Sequence, residues 1–115
     1  MLRNTQCTTC QKVMAYLREK GVEVRRFHDV KAEPLARAEV EELARKVGGP
    51  DALFSRRALK YRQMGLHERQ LSDDDLLRLM TEEYTFITRP VVVRGDRATA
   101  GWYPRRIEEM VGFPP

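Results

Sequence analysis

Cys7 and Cys10 stand two residues apart, and a helical repeat of Val13, Met14, Tyr16 and Leu17 follows them directly. A Cys-x-x-Cys pair at a helix start has definite chemistry. The first turn of a helix presents unpaired N–H groups and a partial positive charge, which stabilise a thiolate and can bring a cysteine from ~8.5 into the ~3.5–7.5 range. Cys7, at the helix end, is therefore the expected nucleophile. Cys10 lies on the same face, three residues on, where it can attack a mixed disulfide formed at Cys7 and release the substrate.

Other uses of the pair fit less well. Zinc needs four ligands, and His28 and His67 form no compact pair. No metal site is expected. A structural disulfide belongs to exported chains, and Met1-Leu-Arg-Asn-Thr-Gln has no apolar signal core. Two inert core cysteines remain an alternative, against which stand the polar neighbours Thr8, Thr9, Gln11 and Lys12.

Arg89-Pro90 is the second feature of interest. A proline there suits a cis peptide bond, and Arg89 would bring a permanent cation toward Cys7, holding a thiolate or binding an oxyanion in bidentate fashion. The alternative is a trans bond opening an edge strand, with Arg89 in solvent.

These residues need elements to carry them. The spacing predicts a first helix from about Cys7 to Lys20, closed by Gly21. Val22 to Phe27 alternates apolar and polar residues, which predicts a strand. From about 31 to 85 the chain reads as an all-helical insert. Leu35 to Val47 is amphipathic and stopped by Gly48-Gly49-Pro50; shorter turns are expected near Ala52–Phe54 and Ala58–Met64; Ser72 caps a helix with Asp73, Asp74 and Asp75 in its first turn. Strand character returns at Val91–Val93, a turn at Gly95-Asp96 and a return strand over Arg97–Ala100, then a last helix from Pro104 to Met110. A strand before the first helix has only Met1 to Arg3 to draw on. Either it is a stub or the chain begins upstream of Met1.

With 115 residues, 42% apolar and 33% charged, the chain is expected to be a single α/β domain, residues 1–115, with its core in 1–30 and 86–115. No apolar run approaches the ~20 residues that cross a bilayer, so no membrane partner and a cytoplasmic location are expected. The net charge of +4 is interspersed rather than clustered, and direct nucleic-acid binding is not expected. Trp102, Tyr103, Arg105 and Arg106 could stack on bases, but aromatics before a terminal helix more often close the end of a core.

Taken in order, several pieces resemble the arsenate reductase family in its broad sense, which includes ArsC-type reductases and Spx-type regulators. They are Cys7-Thr-Thr-Cys-Gln-Lys12, Phe27-His28-Asp29-Val30, Ser55-Arg56-Arg57 with Tyr61 and Gly65-Leu66, Leu71-Ser72-Asp73, Arg89-Pro90-Val-Val-Val93 and Gly101-Trp102-Tyr103. The resemblance implies a thioredoxin-like layer split by a helical insertion, with a very short or truncated first strand and an Arg-cis-Pro turn facing the redox cysteine. In such reductases the first cysteine attacks arsenate, arginines bind the oxyanion, and glutathione with glutaredoxin restores the thiol. Cys7 and Arg89 match that cysteine and one of those arginines.

The match departs from the reductase pattern in three places. Ser55 stands at the position read as the insert arginine, Tyr103 replaces the arginine before the last helix, and Cys10 adds a second thiol of the kind found in Spx-type switches. Arg57 is similar to the Spx-type arginine near the redox centre. Two readings follow from the resemblance. One is an arsenate-reductase-like thiol oxidoreductase with weak arsenate activity and no bound cofactor, served by glutaredoxin, glutathione or thioredoxin as reductant. The other is an Spx-like redox sensor that binds RNA polymerase.

Overall fold

The computed structural model describes residues 1–4 and 7–112. The chain divides into two compact units, Met1–Glu33 with Arg89–Pro115, and Pro34–Thr88.

The first unit is an α/β layer. It contains β1 (Leu2–Arg3), α1 (Thr8–Glu19), β2 (His28–Asp29), β3 (Val91–Arg94), β4 (Arg97–Ala100) and α6 (Pro104–Val111). The sheet order is β2-β1-β3-β4; β1 runs parallel to β2 and antiparallel to β3. The hairpin is closed by Gly95-Asp96, with Arg94 opposite Arg97 and Val91 opposite Ala100, and Gly95 takes the positive φ of 61° that the tight turn needs. Val13 and Leu17 of α1 meet Val92, Ile107 and Met110 in the core, with Met1, Val22, Val24, Trp102 and Val111 packed around them. Removing each such aliphatic side chain from water is worth about 1.5–3 kcal/mol, so this cluster fixes α1 on the sheet.

The first strand is very short, two residues long. Val22 to Phe27, by contrast, is not a strand, which corrects the expectation from its alternating pattern. Alternation marks a segment suited to a sheet, but a strand also needs a partner backbone. β1 offers one only at Leu2↔His28 and Arg3↔Asp29, so pairing is confined to β2; beyond it, the Met1 amine donates to the Arg26 carbonyl and His28 N–H to the Met1 carbonyl.

The second unit is helical: α2 (Arg37–Val47), α3 (Pro50–Leu53), α4 (Leu59–Gln63) and α5 (Asp73–Glu82), with single 3₁₀ turns at Leu66–Glu68 and Tyr84–Phe86. Gly48, at φ 105°, ends α2 in the left-handed conformation. At α5, Ser72 Oγ accepts the Asp75 N–H at 3.1 Å and Asp75 accepts the Ser72 N–H at 3.0 Å, closing a reciprocal cap. α2 packs on α3 and α5, with Val40, Ala44, Leu53, Leu76, Leu79 and Met80 buried. Phe54 stacks on Phe86 at 5.3 Å, beside backbone bonds from Ser55 to Phe86 and from Thr88 to Leu53. Among the described residues no helix is long and apolar enough to cross a membrane.

Candidate functional site: a cysteine pair at a helix start

α1 begins where Cys7 leaves the helical conformation, at φ −82° and ψ 118°, and acts as its N-cap. Serine or aspartate usually fills that role with an oxygen. Here the Cys7 Sγ accepts the Cys10 N–H at 3.4 Å. The first turn carries no acidic residue, so its positive end is not offset by a side chain. Cys7 is partly exposed, whereas Cys10 is 1% exposed; both are free thiols.

The difference follows from the helical period. Cys10, Val13 and Leu17 form the stripe that α1 turns inward, all of them 1% exposed or less. Burial pushes the Cys10 thiol up to about 12. A backbone hydrogen bond from Asn4 opposes that shift, Cys7 adds to it by hydrogen bond and charge, and the charge of Arg89 draws it back down.

Arg89 thus belongs to the electrostatic surroundings of Cys10, both in the first unit. The Arg89-Pro90 bond is cis, Pro90 is fully buried, and its carbonyl accepts the Gly101 N–H at 2.9 Å. Arg57 lies in the helical unit, exposed, its N–H 3.4 Å from Ser55 Oγ. Tyr103 caps α6, half-exposed, with the Arg106 guanidinium 4.6 Å from its ring centre.

Asn4 was not picked out by residue type. It is 7% exposed; its carbonyl accepts the Cys7 N–H at 3.0 Å, and its backbone also bonds to the Cys10 sulfur. Both contacts use main-chain atoms, which leave no signature in residue identity beyond nearness to Cys7. Behind the pair, Lys12 Nζ lies 5.0 Å from the Trp102 ring centre, and Tyr16 meets that ring edge-on at 5.2 Å. Trp102 itself packs against the core, as expected of an aromatic that closes its end.

A mixed four-stranded sheet with a cysteine pair at the start of the helix after β1 defines a thioredoxin-like thiol protein. The chain belongs to the ArsC family, whose model matches residues 2–110. It is 30% identical over 107 residues to the uncharacterized protein YusI of Bacillus subtilis, covering 90% of each chain. It is 28% identical over 107 residues to the global transcriptional regulator Spx of the same organism, covering 91% of this chain and 80% of that one. Among solved structures, an arsenate reductase from Vibrio cholerae superimposes with a TM-score of 0.82 at 25% identity, covering 96% of this chain and 94% of that one.

Proposed function

We propose that this protein carries out thiol-disulfide exchange, with Cys7 as attacking sulfur and Cys10 as resolving sulfur. The observation that carries the reading is the asymmetry of the pair. Cys7 is partly exposed at a helix N-terminus, while the Cys10 thiol is buried and pushed up to about 12. An exchange needs one accessible sulfur to meet the substrate and one held in reserve.

The steps balance as follows. The Cys7 thiolate attacks a substrate disulfide, forming a mixed disulfide and expelling one substrate thiolate. Cys10 then gives up its proton and attacks the Cys7 sulfur, expelling the second substrate thiolate. The substrate gains two electrons and the protein is left with a Cys7–Cys10 disulfide, which glutaredoxin, glutathione or thioredoxin would reduce. Forming the mixed disulfide removes the free Cys7 sulfur that helps raise Cys10, and Arg89 favours the Cys10 thiolate; both ease the second step.

The likeness to an arsenate reductase makes arsenate a candidate oxidant. Ser55 and Tyr103 at the two unmatched arginine positions argue for slow turnover. The likeness to Spx supports the regulator reading, in which the same disulfide would change affinity for RNA polymerase.

One assay separates these readings: arsenate with glutathione and glutaredoxin, followed by NADPH consumption, beside reduction of a model disulfide. Disulfide reduction with slow arsenate turnover is expected. Brisk arsenate turnover would establish the reductase reading, and inertness in both arms would overturn the exchange reading.

A further inference from the structure

The helical unit carries a surface that its own packing does not explain. Between Ala52 and His67 the sequence has four cations, Arg56, Arg57, Lys60 and Arg62, and no acidic residue. α4 lies within this stretch and buries none of its residues. Tyr61 turns inward, meeting Phe54 edge-on at 6.1 Å and His67 at 6.3 Å. At 100° per residue, that anchor directs Leu59 and Arg62 away from the unit. Leu59 is 81% exposed, the highest of the large apolar residues left in solvent among the described residues, and Met64 just beyond α4 is 51% exposed.

Neighbouring carboxylates occupy two of the cations: Arg56 bonds Asp51 at 2.7 Å and Lys60 pairs with Glu83. Among the described residues the guanidinium groups of Arg57 and Arg62 have no salt bridge. The surface therefore combines apolar anchors with an uncompensated positive rim, the complement of a segment that mixes leucine-type side chains with carboxylates.

We propose that the exposed face of α4, centred on Leu59, Arg62 and Met64, is a docking site for an acidic, amphipathic helical segment of a partner protein. A protein partner fits better than the other polyanions. Insertion into an anionic bilayer uses a continuous Trp, Phe or Leu face, and Leu59 is the one large apolar residue that α4 exposes. A single-stranded nucleic acid would need exposed aromatic faces, and Tyr61 is engaged within the unit.

The test is an NMR titration of the ¹⁵N-labelled full chain with Cys7 blocked by brief iodoacetamide treatment, which prevents a Cys7–Cys10 disulfide and makes the result independent of the cysteine chemistry. Two synthetic helical peptides serve as probes, one with a leucine face and glutamates elsewhere, the other with lysines replacing the glutamates. The expected result is shifts confined to residues 56–67 with the glutamate peptide only, weakened about tenfold by Leu59→Ser and again by Arg62→Glu. Both positions are exposed, so the fold is retained, and an unchanged amide spectrum elsewhere checks this. The proposal is overturned if both peptides bind alike, if the shifts lie elsewhere, or if no binding is seen. It is also overturned if phosphatidylglycerol vesicles or oligo(dT) shift residues 56–67 more strongly than the peptide, or if dilution alone shifts them, since a second copy of this chain would then be the occupant.

Discussion

The Cys10 N–H points at the Cys7 sulfur across 3.4 Å, so the backbone of one cysteine stabilises the sulfur of the other while its own thiol stays buried. Brief iodoacetamide treatment at neutral pH should therefore label Cys7 at least about tenfold faster than Cys10. Mass mapping of the labelled peptides reads the ratio. Preferential labelling at Cys10 would reverse the assigned roles.

A buried thiol held near 12 also links stability to pH. Cys10 titrates near ~8.5 once unfolded, so its burial favours the native state in full below that pH. As pH rises from there toward about 12 the unfolded chain loses this proton first, and stability falls by up to about 1.4 kcal/mol per unit. Urea midpoints at pH 8, 9 and 10 should drop more steeply for the wild type than for Cys10→Ala. Parallel slopes would mean that Cys10 titrates alike in both states.

The charge of Arg89 lowers the Cys10 thiol, so under the exchange reading resolution is the step its removal should slow. With an aromatic disulfide such as dithiobis(nitrobenzoate), the first equivalent of thiolate reports attack by Cys7 and the second reports resolution by Cys10. Arg89→Ala should slow the second release by several-fold, and Arg89→Lys should recover most of it, since a point charge suffices. Equal second-phase rates in all three proteins would remove Arg89 from the site.

Oxyanion chemistry should respond to arginine count. By the resemblance, Tyr103 stands where a reductase has an arginine, in the same unit as Cys7, and one charge-assisted contact missing there costs about 1.5–3 kcal/mol, roughly one to two powers of ten in transition-state binding. Tyr103→Arg should raise arsenate turnover above the wild type. No gain in a folded variant would show that cation number does not limit the reaction.

How much of this was legible depended on where each signal resides. α5 was readable because Ser72 and the three aspartates act within one turn, and the β3–β4 hairpin because Gly95-Asp96 carries its own turn chemistry. The thioredoxin-like order emerged from such local pieces. Val22–Phe27 misled because a strand is a property of two backbones, and only His28 and Asp29 face β1. At the site, both cysteines sit among polar neighbours in sequence. The inward stripe of Cys10, Val13 and Leu17 was present in the spacing and gives the two thiols their unequal burial. The contribution of Asn4 was beyond reach, since main-chain atoms made it.

The first unit draws its strands from both ends of the chain, with the helical unit spliced between Glu33 and Arg89. During translation both cysteines leave the ribosome early, while Arg89, Pro90 and the β3–β4 hairpin come out only after the whole helical unit. A nascent chain that has reached Thr88 holds its two sulfurs but not the cation that acts on Cys10, nor Val92, Ile107 and Met110, which bury the stripe behind Cys10. The surroundings of the Cys10 sulfur are thus completed only after the helical unit has been synthesised, and the order of synthesis separates the thiol from the cation that acts on it.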